Sequence, residues 1–188
     1  HLLLHDAQGR EALDYIRSRH LADETVERFG LGYAPPGWDA LIKLAANRQL
    51  QADILEKAGL ASSGQRGPYD RFRDRLAFPI ANLSGRTIAF GARALKPDQE
   101  PKYLNSPETP IYHKSAVLYG LHQTRDAIRK QGIALIVEGY MDLLSLVQQG
   151  IPHVVASAGT ALTTEQCRTL ARYAPQVVLI FDGDAAGS

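Results

Sequence analysis

The sequence predicts an α/β fold: a mixed α+β subdomain over residues 1–119, then a parallel β-α-β-α-β sheet over 120–188 with its strands in the order 2-1-3. Three observations predict it. The runs ALIV at 134–137 and VVLIF at 177–181 are short, aliphatic and without polar alternation, which suits strands buried on both faces of a parallel sheet. Two stretches of helical spacing and a third apolar run lie between them. Each outer run ends on an acidic corner, Glu138 with Gly139 in one case and Asp182, Gly183 and Asp184 in the other.

From the N-terminus, residues 8–19 have helical spacing with Leu13 and Ile16 on one face. Residues 22–29 suit a second helix, closed by Gly30 where a left-handed residue commonly ends one. Residues 31–34 suit a short strand, and Pro35, Pro36 and Gly37 a turn. Helical spacing returns over 38–47 and 51–58, turning Leu41, Leu44, Ile54, Leu55 and Ala58 inward, with Gly59 as the stop. The Ser- and Gly-rich stretch 61–68 reads as a loop. Two extended segments, 69–80 and 86–93, follow, joined by a hairpin turn at Ser84 and Gly85. If the first is extended throughout, period two puts Arg71, Arg73 and Arg75 on one face. That face reads either as a solvated edge strand blunted by charge or as a phosphate-contacting ribbon, since guanidinium forks fit phosphate oxygens. A loop with four prolines, 96–114, carries Lys102 and Lys114. A helix over 121–130, ended by Gly132, leads from a boundary near Gly120 into the sheet.

The sheet unit is sharply punctuated. Strand one covers 133–137 and helix one 140–149, burying Leu143, Leu144 and Val147. Strand two covers 154–157, followed by a tight loop at 158–160. TTEQ at 163–166 is a capping-box pattern opening helix two, 164–173, whose Cys167, Leu170 and Ala171 are expected against the sheet. Strand three covers 177–181.

Composition excludes several classes. With 188 residues, 45% hydrophobic and 22% charged, the chain can build a core and is not disordered. No apolar run approaches the roughly 18 residues of a membrane span, and no secretory signal opens the chain. One Cys excludes an internal disulfide and a multi-cysteine zinc site. Net charge is only +1, yet residues 64–114 hold nine Lys/Arg against five Asp/Glu, and residues 133–188 hold two against five. A basic segment feeding an acidic one suits a polyanion track leading to a metal pocket.

Right-handed crossovers put all three strand C-termini on one edge, where ligands bind in open α/β sheets. Glu138 and Asp182 become neighbours there only in the order 2-1-3; in the order 3-2-1 they would stand about 10 Å apart. Gly183 lets Asp184 turn to the same point, and Asp142, one turn into helix one, faces the same mouth. Either acidic turn alone would be ordinary. Together, each ending an apolar strand of one β-α-β-α-β run, they point to a shared cation. Oxygen donors without His or Cys favour Mg²⁺ or Mn²⁺ over Zn²⁺. Two such ions about 3.5–4 Å apart can activate a 3′-hydroxyl and stabilise a leaving pyrophosphate.

This layout resembles the TOPRIM domain shared by primases, type IA and type II topoisomerases and some nucleases. VEGYMD at 137–142, SAGTAL at 157–162 and FDGDAAG at 181–187 are similar to the DnaG-type bacterial replicative primases. So are GYAPPGW at 32–38, YDRFRDR at 69–75 and PKYLNSPE at 101–108. The resemblance implies template-directed synthesis of short RNA primers on single-stranded DNA from NTPs. It implies that Glu138, Asp182 and Asp184 are the metal-centred catalytic acids, with Asp142 a further acid of the same site, holding Mg²⁺ or Mn²⁺. Lys102, Lys114 and Arg93 match basic residues that meet nucleotide phosphates or template. Arg19 sits at a basic position before the second helix, and Arg71, Arg73 and Arg75 lie in a basic ridge approaching DNA.

The implied setting is the bacterial cytoplasm at the replisome. The expected protein is a monomer that reaches a replicative helicase through regions outside this chain and has no membrane partner. Since the chain starts at His1, lacks the family's zinc-binding domain and stops where the family continues with a further strand and a helical subdomain, a C-terminally truncated TOPRIM domain is expected. Such a piece could be inactive alone. Two alternatives stay open: another TOPRIM enzyme, a topoisomerase or nuclease, or a single-stranded-DNA-binding module without chemistry.

Overall fold

The computed structural model describes residues 2–159 and 161–181. The chain opens with α1 (Leu2–His5) and α2 (Arg10–Ser18), joined by a 3-10 turn in which Asp6 caps Gln8 N at 2.9 Å. α2 buries Ala12 and Ile16, four residues apart on one face. Next come α3 (Asp23–Phe29), which ends at Gly30 with φ +64°, and β1 (Gly32–Ala34). α4 (Ala40–Asn47) and α5 (Ala52–Lys57) follow. Their buried side chains are Ala45 and Leu55, packed with Ala61, whereas Leu44 and Ile54 are 50% and 47% exposed. On α4 Ala45 is buried in place of Leu44, with Leu41 packed against the cluster as expected; on α5 Leu55 is buried as expected and Ile54 is not. Helices of about two turns have too few apolar positions to define a phase.

The stretch read as a loop at 61–68 lies mostly in a hairpin, β2 (Ala61–Gly64) and β3 (Gly67–Asp70), with Ala61 opposite Asp70 and Gly64 opposite Gly67. Its purpose is visible at Asp70. That buried carboxylate accepts from Leu41 N at 2.6 Å and Ile42 N at 3.1 Å, supplying the N-terminal cap of α4 that Asp39 does not. The chain then bends through 71–74, so the extended segment expected from 69 to 80 is broken. β4 (Arg75–Ala81), β5 (Thr87–Ala94) and β6 (Tyr103–Asn105) complete a four-stranded sheet of order β1-β4-β5-β6. The turn between β4 and β5 is the hairpin expected at Ser84 and Gly85: Asn82 N donates to Arg86 O at 2.9 Å and Gly85 has φ +84°.

The remaining elements are α6 (Leu121–Gln131), β7 (Ile133–Val137), α7 (Tyr140–Gln148), β8 (Val154–Ala156), α8 (Thr164–Leu170) and β9 (Gln176–Ile180). Their sheet is parallel with order β8-β7-β9, the expected 2-1-3. Val137 pairs with Ala156 on one side and Ile180 on the other, so the three C-terminal ends are level. α7 buries Leu143, Leu144 and Val147 as its spacing requires. α8 carries the expected capping box: Thr163 Oγ1 accepts from Gln166 N at 3.1 Å and Gln166 Oε1 from Thr163 N at 3.1 Å. Its buried residues are Leu170 and Gln166, while Cys167 and Ala171 are exposed, contrary to expectation. β9 also departs from its pattern: at the edge of the sheet, its Val177, Val178, Leu179 and Ile180 are 44–53% exposed.

The chain divides into two units: His1–His20, Gly30–Pro79 and Ile88–Tyr112 form one, and Leu21–Phe29, Ile80–Thr87 and His113–Ser188 the other. The second has a continuous core of Leu118, Leu121, Ile128, Ala134, Ile136, Val155, Leu170 and Ala174. No helix among the described residues is long and apolar enough to cross a membrane.

Candidate functional site

In the second unit the level strand ends set the geometry. Glu138 follows β7 directly and is half-buried. Its carbonyl accepts from Ala158 N at 3.0 Å, and Val137 O accepts from Ser157 N at 3.1 Å, so the loop after β8 is laced to the end of β7. Ala158 holds φ +56°, a left-handed conformation uncommon for a residue with a Cβ. Asp142 is exposed in the first turn of α7, and its Oδ2 accepts from Gly139 N at 3.0 Å. One carboxylate oxygen therefore caps the helix, and the other has no hydrogen-bond partner among the described residues. Asp182 and Asp184 lie outside the described residues, and among the described residues no group of three His, Cys, Asp or Glu is placed to hold a metal. Glu138 and Asp142 are hard oxygen donors, the type that Mg²⁺ takes.

Lys114 belongs to the same unit and is half-buried, in a single 3-10 turn at Lys114–Ala116. Its backbone is held from α8. Fully buried Gln166 donates from Nε2 to Lys114 O at 3.2 Å and to Val117 O at 2.8 Å, and Thr163 Oγ1 donates to Ser115 O. The capping box thus also anchors the segment carrying Lys114. Sequence reading found the box but not this second use, which links residues about 50 apart.

The first unit holds the other basic candidates in two groups. Arg19 and Arg93 share one aromatic ring, that of Tyr15. The Arg93 guanidinium lies 4.0 Å from the ring centroid and donates to Ala94 O at 2.8 Å. The Arg19 guanidinium lies 5.5 Å from the same centroid and its Nε donates to the Tyr15 hydroxyl at 3.1 Å. Lys102 is exposed just before β6, beside the pairing of Arg93 with Tyr103.

Arg71, Arg73 and Arg75 do not share the face of a strand, because the backbone bends between them; they meet around an open pocket of about 370 Å³. Trp38, Gln99 and Leu104 also line it. Arg73 stacks 4.2 Å from the Trp38 ring and 5.3 Å from Tyr69, and donates to Asp70 O. Trp38 is 65% exposed, so the stacked pair faces solvent. Arg71 donates to Asn105 O at 3.1 Å; its Nε and the Gln99 Oε1 are buried without a partner among the described residues. Arg75 is different. It is 4% exposed and donates to Pro101 O at 2.7 Å and Glu100 O at 3.3 Å, so its direct work is to hold the Pro-rich loop.

Burial lowers the pKa of Arg71, and that of Arg75 is lowered by burial and then by the Arg73 charge. Burial works against ionisation of Asp74, yet hydrogen bonds from Lys96 and Tyr33 and the charges of Lys96 and Arg75 hold its carboxyl below the usual range. Tyr15, Trp38, Tyr69 and Gln166 were not among the sequence candidates. Trp38 and Tyr69 lay within motifs already singled out and Gln166 within the capping box, while Tyr15 stands four residues before Arg19, one helical turn away.

Comparison with known proteins agrees with both halves. The family described as DNA primase catalytic core, N-terminal domain, matches residues 1–125, and a Toprim-like family matches residues 135–188. The chain is 50% identical over 182 residues to a DNA primase of Pseudomonas putida, covering 95% of this chain and 27% of that protein. It therefore spans about a quarter of the length of that relative. A DNA primase domain from Pseudomonas aeruginosa superposes with a TM-score of 0.92 at 46% identity, over 99% of this chain and 58% of that one. A DnaG primase catalytic domain bound to single-stranded DNA gives 0.88 at 42% identity, over 98% and 57%.

Proposed function

This chain belongs to the family of DnaG-type DNA primase catalytic cores, and we propose that it works as the part of a primase that holds single-stranded DNA and joins ribonucleotides into short RNA primers. Its two functional parts are residues 1–119, basic and DNA-facing, and residues 120–188, the Toprim part. The observation that carries the reading is the register of the parallel sheet. β7 and β9 are neighbours whose ends are level, Val137 against Ile180, and the next residues in each case lead into Glu138 and into Asp182 and Asp184. The strand order β8-β7-β9 is the one on which the expected meeting of these acids at a metal depends.

Glu138, Asp142, Asp182 and Asp184 would hold Mg²⁺ or Mn²⁺. When bound, the ion supplies Lewis-acid stabilisation of the attacking 3′-hydroxyl and the leaving pyrophosphate. The protein's own contribution is positioning. Lys114, Lys102, Arg93 and Arg19 bind triphosphate or template phosphates. Arg71 and Arg73, with Trp38, form a stacking and phosphate-contacting surface for the single strand, and Arg75 supports it from beneath. The relative bound to single-stranded DNA supports a template of that kind.

The test is ribonucleotide incorporation on single-stranded DNA with Mg²⁺. Glu138→Gln should abolish synthesis while leaving the melting temperature within about 2 °C of the parent. Full synthesis by that variant rejects the metal assignment. Single-stranded-DNA affinity that ignores Mg²⁺, with no incorporation by the parent chain, favours a binding module instead.

A further inference from the structure

We propose that Tyr15 is a positioning residue that aligns Arg19 and Arg93 as one phosphate-gripping pair, an inference that rests on the reading that these two arginines meet nucleic-acid phosphates. Two guanidiniums brought close together repel one another, and a surface arginine without a fixed partner samples many rotamers. The Tyr15 ring answers both problems. Its negative face attracts Arg93 at 4.0 Å from the centroid, within the distance at which cation–π attraction is effective. Its hydroxyl accepts from Arg19 Nε at 3.1 Å, fixing the second guanidinium on the same ring.

The attachment points differ in a useful way. Arg19 closes α2 one turn after Tyr15, whereas Arg93 stands on β5, 78 positions after Tyr15. Tyr15 is thus the joint between a helix-borne and a strand-borne charge. Arg93 is already committed through one Nη to Ala94 O, and its Nε is buried without a partner among the described residues. Ring stacking is therefore its main lateral restraint. Losing the ring frees the guanidinium from its plane without removing the charge. The cost should fall on affinity for phosphate, not on net electrostatics.

The test is fluorescence anisotropy of a labelled single-stranded oligonucleotide with the intact chain, over a salt series. Arg93→Ala should weaken binding about five- to tenfold and lower the salt slope by about 0.7, one phosphate contact. Tyr15→Leu should weaken it to a similar extent, and Tyr15→Leu with Arg93→Ala should be no more than about twofold worse than Arg93→Ala alone. Tyr15→Phe keeps the ring, so it should restore most of the Arg93 contribution and show non-additivity with Arg19→Ala instead. Additive losses, or Tyr15→Leu binding like the parent while Arg93→Ala is weakened, overturn the proposal. If Tyr15→Leu does not fold, the Tyr15→Phe and Arg19→Ala cycle decides it, additivity again being the adverse result. Unchanged binding by both arginine variants sinks the underlying reading of the basic pair, a distinct outcome.

Discussion

Lys96 Nζ lies 2.5 Å from Asp74 Oδ2, and the Tyr33 hydroxyl donates to the other oxygen of the same carboxylate at 2.8 Å. This junction ties the bend after β3 to β1 and to the start of the Pro-rich loop. Asp74 itself holds φ +53°, so the backbone is strained where the carboxylate is fixed.

The Asp74 carboxyl is depressed, so its stabilisation is fully present above the unfolded value, about 3.9, and is lost as pH falls through the lower folded value. Asp74→Asn should lower stability by about 1–2 kcal/mol at pH 7 and by much less near pH 3. Lys96 is shifted the opposite way, upward through its hydrogen bond to Asp74. Its share is present below about 10.4 and fades as pH rises through the folded value. Thermal melts of parent and variant across pH check both limbs; a difference that stays constant down to pH 3 contradicts the assignment.

Arg75 spans two carbonyls with one buried fork. Arg75→Met should leave Glu100 O and Pro101 O without that donor and cost about 2–4 kcal/mol in denaturant unfolding. Arg75→Lys keeps the charge but not the fork and should fall between the two. A loss under about 0.5 kcal/mol for Arg75→Met would mean that the loop finds other donors.

Asp142 is a cap before it is anything else. Without divalent ions, Asp142→Ala should cost about 1 kcal/mol and Asp142→Asn less, because the amide oxygen still accepts from Gly139 N. With Mg²⁺ present, both variants should lose any stabilisation that the ion confers on the parent, as read by calorimetry. Equal Mg²⁺ shifts in all three proteins would leave Asp142 a cap alone.

Much of the second unit was legible from residues. β7 matches its expected bounds, α7 buries the three residues its spacing singled out, and TTEQ caps α8. These are short-range signals: an aliphatic run between glycines, a period of 3.6, a hydroxyl three residues before an amide. The order 2-1-3 came from chemistry, from the need to bring like carboxylates to one ion. What misled was also local. On α8 the apolar Cys167 and Ala171 looked like core residues, yet the buried ones are Leu170 and polar Gln166. A glutamine belongs inside when three backbone partners await it, and two of them, Lys114 O and Val117 O, lie on a segment the sequence does not place.

By itself the sequence determined the helices and strands of the second unit and, through its motifs, the family, because propensity, capping, hydrophobic period and short motifs act over a few residues; the hairpin of β2 and β3 and the strand β6 were not legible in it. Only the tertiary structure decided that Asp70 caps a helix 29 residues behind it, that Arg75 is a buried strut while Arg73 stacks on an exposed Trp38, and that Arg19 and Arg93 share Tyr15. Buried polar groups must find partners wherever the folded backbone offers them, and that requirement has no period to read.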